Sequence, residues 1–352
     1  MSCKKTENVH QEMPDTSVTD SLMHNLRFEH VSKDEYQLKG FQEVVFSVAD
    51  LEEASKTYQE VAGWEILYSG VVSATQLAAW QLPDTARAHE MVLHNPGDRE
   101  GFLRLVQFGN VPQRQIRSSA QPWDAGGIFD INVRIVHMDS TFYELQSRGW
   151  NAYHDPVAFK FGKFHVEEVL VRGHDGVVLA MIQRHAPPLE GYPNLKKMSH
   201  IFNATQIVTD IDKSLDFYMN GLGFKMYMQH KGASTAPGEN VLGLPYNLTD
   251  DYERSVCILH PEGTNFGSVE LLQFHGISGK DHAAFAVPPH LGILMQRFPV
   301  ANIAVFSKKI QERGIVIRQP VTTLELPPYG KVKSLAVQTP DGAWLEFIAL
   351  AD

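Results

Sequence analysis

The sequence predicts an α+β fold built from four βαβββ modules, and three observations lead to it. An apolar strand, a capped helix and a Gly-aromatic turn occupy residues 41–64 and recur, about 160 residues later, at 202–224. A similar strand–helix–glycine unit follows each copy, at 129–150 and at 293–317. Strand-like runs joined by tight turns complete every unit. The chain therefore repeats one structural unit four times, and we number the units modules 1 to 4.

Modules 1 and 3 show the unit most clearly. In module 1 the apolar residues of 44–48 alternate as in a strand, and Asp50 follows as the cap of a helix that ends at Gly63. In module 3, Asp210 and Gly223 take the same places. The aspartate precedes the glycine by 13 residues in both modules. The spacing predicts two helices of equal length.

Modules 2 and 4 are the plainer copies. Their helices are predicted to begin after His137 and Asn302 and to end at Gly149 and Gly314, 12 residues later in each case. Asp-Gly pairs are typical of tight hairpin turns. The final hairpins of these modules are predicted to turn at Asp175-Gly176 and Asp341-Gly342.

The length of 352 residues suits two domains. Residues 1–38 are polar and predict a flexible N-terminal arm. We predict an N-terminal domain at 39–185, a proline-containing linker at 186–198 and a C-terminal domain at 199–352. Each domain would hold two modules. The long Gly- and Pro-containing segment 229–256 predicts a lid or a dimer contact.

Composition excludes several functions. The net charge of −10 argues against a nucleic-acid or anionic-membrane partner, because either would need clustered basic residues. Two cysteines, Cys3 and Cys257, cannot form a disulfide framework or a thiolate zinc site. No apolar run reaches the length of roughly 18–20 residues that a spanning helix needs, and no secretory leader is visible. We therefore expect a cytoplasmic protein.

The repeated unit resembles one known family. A helix containing Phe217-Tyr218, the turn "GLGF" at 221–224 and the final hairpin "DGAWLEF" at 341–347 are similar to the vicinal oxygen chelate superfamily. This superfamily includes glyoxalase I, bleomycin-resistance proteins and extradiol dioxygenases. The resemblance covers residues 41–350. It implies that modules pair into glyoxalase-like half-barrels and that metal ligands come from the first and last strand of each module.

The resemblance assigns eight candidate ligand positions to this chain. They are Glu43, Arg104, Asp130, Ala180, Asn203, Glu270, Met295 and Glu346. None is a histidine, whereas a non-haem ferrous site typically takes two imidazoles and one carboxylate. The pattern argues against extradiol ring cleavage.

In the C-terminal half, Glu270 and Glu346 occupy the places of the two glutamates of glyoxalase I. The resemblance implies that they form the catalytic acid–base pair or, with Asn203, bind a divalent metal (Mg, Mn, Fe or Zn). Tyr329 precedes the last hairpin, where family members often contact the substrate. The alternative is that both glutamates merely line the barrel and are satisfied by water.

In the N-terminal half, Glu43, Arg104 and Asp130 are expected to face a common cavity. This cluster could bind a substrate carboxylate, but we favour a self-neutralising ion network. Glu167 and Glu168, further along module 2, are predicted to lie on the surface.

The function that follows is a lyase or isomerase of the glyoxalase type, acting beside a carbonyl of a small organic substrate. Cavity glutamates would transfer the proton, with or without a divalent metal. The alternatives are a diverged dioxygenase-like enzyme and a non-catalytic binding protein of the bleomycin-resistance type. A homodimer is the expected assembly.

Overall fold

The computed structural model describes residues 26, 35–277 and 279–351. Most of the predicted N-terminal arm, including Cys3, lies outside the described residues. The strands are β1 (Glu43–Ser47), β2 (Glu65–Val71), β3 (Arg87–His94), β4 (Phe102–Gly109), β5 (Asp130–Ile135), β6 (Asn151–Ala152), β7 (Val157–Phe161), β8 (Phe164–Arg172), β9 (Val178–Ala186), β10 (Asn203–Ile207), β11 (Lys225–Gly232), β12 (Arg254–His260), β13 (Ser268–Phe274), β14 (Gly292–Pro299), β15 (Ile317–Glu325), β16 (Lys331–Gln338) and β17 (Trp344–Leu350). The helices are α1 (Leu51–Thr57), α2 (Ala74–Ala79), α3 (Met138–Ser147), α4 (Ile211–Leu215) and α5 (Ile303–Glu312).

Three of the four predicted helix caps form as expected. The side chains of Asp50, Asp210 and Asn302 each accept a hydrogen bond from the backbone N–H three residues further on. His137 occupies the cap position of α3 without capping it, because its side chain makes no such bond. Gln183 Oε1 accepts a hydrogen bond from the N–H of Met138, as Gln107 and Gln273 do from Leu51 and Ile211 in modules 1 and 3. The helix of module 2 therefore keeps this bond from the last strand but lacks the side-chain cap.

The predicted ends of the helices in modules 1 and 3 are confirmed. Both α1 and α4 continue as π-helical turns, at Tyr58–Ala62 and Asp216–Leu222. Each turn ends in the left-handed conformation, with φ of 73° at Gly63 and 86° at Gly223. A Cβ atom at such a φ is strained, which explains the glycines.

The strands form two large sheets, and each sheet joins two modules. One has the order β15-β16-β17-β14-β1-β4-β3-β2 and unites modules 1 and 4; we call it the 1–4 sheet. The other has the order β11-β12-β13-β10-β5-β9-β8-β6, with β7 paired to β8, and unites modules 2 and 3; we call it the 2–3 sheet. In both sheets the two modules meet through their first strands, which run antiparallel.

This pairing corrects the expectation that modules 1 and 2 share one cavity and modules 3 and 4 another. Every module presents the same open edge on its first strand, so the local pattern does not determine which edges meet. The segments that connect the modules do determine it. Gln115 bridges Leu291, and Ala125 bridges Asp281, so the two connections lie side by side. Distant parts of the chain thus meet in each sheet.

The helix-covered faces of the two sheets merge into one apolar core. Val44 and Phe46 of β1, Ile131 and Val133 of β5 and Ala204 of β10 all belong to it. Because side chains alternate along a strand, the residues between them point to the opposite, concave face. Among the described residues, no helix is long and apolar enough to cross a membrane. The concave faces are where polar groups are buried.

Candidate functional site

The concave face of the 1–4 sheet is filled by the protein itself. Val45 and Met295, directly opposite in β1 and β14, pack with Trp80, Leu77 and Trp344. A second apolar group, around Tyr329, packs over the other part of the same sheet. The buried members of both groups are each less than about a tenth exposed. Apolar side chains therefore close this face.

A buried ion network occupies the centre of that face. Arg104 donates two hydrogen bonds to Glu43, from Nε to Oε1 at 2.8 Å and from Nη2 to Oε2 at 3.1 Å. Its Nη1 atom lies 2.9 Å from a carboxylate oxygen of Glu90. Arg297 bridges Glu43 and Glu346 through its Nη1 and Nε atoms. The network therefore joins three carboxylates through two guanidinium groups.

Neutral donors complete the network. The hydroxyl of Tyr329 donates to Glu43 Oε2 at 2.7 Å, and the hydroxyl of Ser334 donates to Glu346 Oε1 at 2.8 Å. Burial raises the pKa of Glu43, but the charges of Arg104 and Arg297 outweigh it and hold the pKa at about 2. Glu43 is consequently a permanent anion at neutral pH.

The network changes the expected roles of two residues. Glu346, predicted as the catalytic base, is bound by Arg297 and fully buried. Tyr329, predicted to touch the substrate, is 1% exposed and bonded to Glu43. Both therefore belong to the 1–4 sheet, whereas Glu270 and Asn203 belong to the 2–3 sheet. The prediction that these four residues form one site is wrong, because it assumed that modules 3 and 4 pair.

The same network is unsuited to a metal ion. Its carboxylates would be the oxygen donors, but Glu43 and Glu346 are already neutralised by Arg104 and Arg297. At the fourth position Met295 offers a thioether, which is a poor ligand for a hard cation. Guanidinium groups thus occupy the place that a cation would take.

The low pKa of Glu43 makes the free energy of unfolding depend on pH in the acidic range. An unfolded glutamate titrates near 4.5, whereas Glu43 in the folded protein titrates near 2. Its contribution is therefore complete above pH 4.5 and is lost as the pH falls from there toward 2. We expect the free energy of unfolding, measured with urea, to fall between pH 5 and pH 3. The fall should be smaller in Glu43→Gln; an identical slope in both proteins would contradict this account.

The concave face of the 2–3 sheet has a different character. Asp130 of β5 lies opposite Thr205 of β10, and Thr205 lies beside Glu270 of β13. The two carboxylates therefore flank Thr205 across three neighbouring strands, with their Cα atoms about 10 Å apart. Glu168 of β8 points to the same face, between Val166 and Leu170. Three carboxyl groups converge on one region.

These groups line a small cavity of about 30 Å³. This is space for about two water molecules. Ala180 of β9 also lines it, and its short side chain leaves open a place that a larger residue would fill. Val241 and Leu242 line the cavity from the segment predicted as a lid. The lid interpretation agrees with this position, since the segment lies over the acidic groups.

Amide and hydroxyl groups order the floor of the cavity. Asn132 donates from Nδ2 to Asp130 Oδ1 at 3.0 Å and to Asn203 Oδ1 at 2.9 Å. Asn203 in turn donates to the hydroxyl of Ser268 at 2.7 Å. The side-chain amide of Asn203 is thus already hydrogen-bonded to Asn132 and Ser268. Its predicted contact with a substrate or metal would require these bonds to break.

The three carboxyl groups have raised pKa values. Burial raises the pKa of Asp130 to about 7, although Thr205 and Arg117 oppose the shift. Burial, followed by the charge of Asp130, raises the pKa of Glu168 to about 8. Burial and the charges of Asp130 and Glu168 raise the pKa of Glu270 to about 8. Near neutral pH the cluster therefore holds both protonated and ionised carboxyl groups.

Glu168 was missed as a site residue because it was grouped with Glu167. The two side chains point to opposite faces of β8. Glu167 accepts a hydrogen bond from His185 at 3.0 Å and is near the surface, as predicted. Glu168 is in phase with Val166 and Leu170, both buried on the concave face. That phase was the available signal: a lone glutamate on an otherwise apolar face of the strand.

The position of Glu168 leads to a stability prediction. Its raised pKa means that the folded state favours the protonated form, so this stability is complete below pH 4.5 and is lost as the pH rises through about 8. The side chain of Glu168→Gln cannot ionise. We therefore expect the stability of this variant relative to wild type to increase between pH 5 and pH 9, by on the order of 1–2 kcal/mol. Urea unfolding at the two pH values measures this difference.

The matched control is Glu167→Gln, one residue away on the opposite face of β8. It should show no stabilisation that grows with pH. An equal pH response of the two variants would mean that Glu168 is not held in its protonated form.

A larger cavity lies elsewhere. It measures about 430 Å³ and opens between α1 and the Asp175 turn, against Tyr58 and Trp150. Of its three acidic residues, Asp50 serves as a helix cap and Asp175 as the acceptor for the N–H of Ala49 at 3.1 Å, while Glu53 is an exposed residue of α1. Because its polar groups have these local roles, we place the chemistry in the smaller acidic cavity instead.

The acidic cavity does not have the donor set of a metal centre. Among the residues described, no group of three or more His, Cys, Asp or Glu side chains is arranged to hold a metal ion. Three carboxyl groups line the cavity, but Ala180 and the occupied amide of Asn203 take two of the four positions from which the family resemblance implies ligands. The residues present do not fit a resident metal.

Comparison with known proteins agrees with this architecture. Residues 197–347 match the sequence profile of the Glyoxalase/Bleomycin resistance protein/Dioxygenase superfamily. Among curated proteins, none matches the chain.

Solved structures extend the likeness to nearly the whole chain. A mutant of glyoxalase I from Zea mays superposes with a TM-score of 0.57 at 17% identity, over 95% of this chain and 96% of that chain. Glyoxalase I from Zea mays itself gives a TM-score of 0.56 at 17% identity, over 88% and 92% of the two chains. At this identity the likeness establishes the fold alone. Residues 197–347 thus resemble the Glyoxalase/Bleomycin resistance protein/Dioxygenase superfamily in sequence, and nearly the whole chain shares the fold of glyoxalase I.

Proposed function

We propose that the acidic cavity of the 2–3 sheet catalyses proton transfer at a carbon beside a carbonyl, as a lyase or isomerase of the glyoxalase type. The observation that carries the proposal is the convergence of Asp130, Glu168 and Glu270 on one cavity without a salt bridge to any described residue. A general acid or base works best when its pKa lies near the operating pH. Carboxyl groups with pKa values of about 7 to 8 meet that requirement.

The roles follow from position. Asp130, which has the lower pKa and ionises first, would take the proton from the carbon, and the electron pair would move onto the carbonyl oxygen as an enolate. Glu270, across Thr205 from Asp130, would in its protonated form donate to that oxygen. The proton on Asp130 then returns to the same carbon or to its neighbour, which gives exchange or isomerisation. Glu168 would hold the cluster's additional proton. Two carboxyls with different protonation states are a common solution to this chemistry.

Three features predicted from the family resemblance are revised in this proposal. Glu346 is replaced by Asp130 and Glu168 as the partner of Glu270, since Glu346 lies in the other sheet. No step passes through a divalent metal, because the donors do not fit one. Tyr329 and Asn203 receive no direct substrate contact. A small-molecule substrate, a homodimer and a cytoplasmic location remain predictions of the sequence.

The test is hydrogen exchange at carbon. Wild-type protein is incubated in D₂O with a panel of small aldehydes, ketones and 2-oxo acids, and loss of the α-proton signal is followed by ¹H NMR. Exchange that is faster than in buffer, and lost in Glu270→Gln, supports the proposal. Binding of a panel member without any exchange would instead support the non-catalytic binding protein. Glu167→Gln is the matched control and should exchange as wild type does.

A further inference from the structure

Two arginines share the concave face of the 2–3 sheet with the acidic cavity. Arg134 lies two residues beyond Asn132 on β5, and Arg184 lies two residues beyond Ile182 on β9. Alternation places both on the concave face, since the intervening Val133 belongs to the helix-covered core. Neither arginine has a role in the proton transfer proposed above.

Both guanidinium groups lack an acidic partner. Within residues 35–277 and 279–351, neither Arg134 nor Arg184 forms a salt bridge, and the Nε atom of each is buried without a hydrogen-bond partner. Each lies instead over an aromatic ring: Arg134 is 4.5 Å from the centre of Phe202, and Arg184 is 4.3 Å from the centre of Phe164. Such contacts hold the cations in place without neutralising them.

The charges of the pair also oppose each other. Burial and the charge of Arg134 lower the pKa of Arg184. The carboxyl group that faces Arg134 is Glu168, whose raised pKa keeps it largely protonated at neutral pH. Two half-buried cations therefore lie on one concave face without a counter-charge. An incoming anion would relieve their repulsion and fill their free donors.

The surroundings indicate what kind of anion would fit. Phe159, Phe164, Tyr192 and Phe266 pack, partly exposed, around the small apolar cluster of Val166, Ile182 and Phe202. Arg134 and Glu168 both lie opposite Ile182, on the two strands that flank β9. Their Cα atoms are therefore about 10 Å apart. A small organic molecule spans that distance.

We propose that Arg134 and Arg184 form an anion-binding subsite for a small organic acid. Its carboxylate or phosphate would bind the guanidinium pair, its apolar body would lie on the aromatic wall, and its other end would reach the acidic cavity. Only this last clause rests on the proposed function; anion binding itself does not require turnover.

The test uses three phenyl compounds that differ in their polar group. Benzoate carries a carboxylate, phenyl phosphate carries a phosphate, and benzamide is the uncharged analogue of benzoate. Affinities for the full-length protein are measured by isothermal titration calorimetry. We expect at least one of the anions to bind about tenfold more tightly than benzamide, and the stronger of the two identifies the anion class. Equal binding of all three, or no binding at millimolar concentration, would overturn the proposal.

Variants assign the effect to the arginines. Arg134→Gln and Arg184→Gln should each weaken anion binding by about tenfold or more, while benzamide binding stays unchanged. Arg134→Lys keeps the charge and should lose less, provided that it folds as wild type does. Arg87→Gln, at an exposed position of the other sheet, is the control. Anion affinity that survives both glutamine substitutions would contradict the subsite.

The proposed proton transfer can be disproved independently of the anion-binding subsite. Glu270→Gln should lose proton exchange and keep its affinity for the anion. If wild type shows no exchange but binds the anion through the two arginines, the catalytic proposal falls and the subsite stands.

Discussion

Replacing Arg297 with methionine should destabilise the protein by about 3–5 kcal/mol, which is a large part of the stability of a typical domain. Arg297 is fully buried and bridges Glu43 and Glu346. Methionine fills much of the volume but supplies no charge, so the buried carboxyl group of Glu346 would be left with only Ser334 and Gln76 as partners. An uncompensated buried carboxylate is among the most destabilising features that a substitution can create.

The measurement is urea or thermal unfolding at pH 7. Arg87→Met, at an exposed site, removes the same charge and should change the unfolding free energy by less than about 0.5 kcal/mol. The double variant Arg297→Met/Glu346→Met removes both buried charges and should recover part of the loss. A single variant that loses less than about 1 kcal/mol, or a double variant that is worse than the single one, would show that the network is not what the contacts imply.

The second large effect concerns turnover. Glu270→Gln should slow proton exchange at the substrate carbon by about 10²- to 10⁴-fold, because glutamine has nearly the same shape but carries no acidic proton for the substrate oxygen. Since ionised Glu270 is unfavourable in the cavity, the variant should be no less stable than wild type. A large loss of activity without a loss of stability separates a catalytic role from a structural one.

The informative comparison is Glu346→Gln, because the family resemblance paired Glu346 with Glu270 as the two catalytic glutamates. It should lower stability, because Arg297 loses a partner, and the fraction that remains folded should exchange protons at the wild-type rate. The opposite result would be loss of exchange in folded Glu346→Gln with unchanged exchange in Glu270→Gln. That result would move the active site to the 1–4 sheet.

The sequence was sufficient for the local architecture. Caps such as Asp50 and Asp210, the left-handed glycines that end the helices and the fourfold repeat all depend on neighbours within a few residues. His137 is the exception, since its side chain makes no cap bond. Histidine is not among the residues that favour the N-cap position, so the spacing located the helix start but not a cap.

The site was harder to predict from the sequence because module pairing is a long-range property. Counting along each strand correctly identified Glu43, Arg104, Asp130, Glu270 and Glu346 as positions on the concave faces. It assigned them to the wrong partners, since each first strand could pair with several others. Arg104 and Glu43 were correctly interpreted as an ion network, yet the additional members of that network come from module 4. Asp130 belongs with Glu270, which no local pattern revealed.

The raised pKa values of the acidic cavity are the centre of this account, and they can be measured directly without a substrate. We would follow carboxyl groups by infrared spectroscopy, through the C=O stretch of the protonated form, as the pH is raised from 5 to 10. The account predicts protonated carboxyl groups that persist at pH 6 and titrate near pH 7 to 8. Glu270→Gln should reduce this signal, and Glu167→Gln should leave it unchanged. If every carboxyl group is ionised by pH 6 in wild type, the cavity holds no proton to transfer and the account is contradicted.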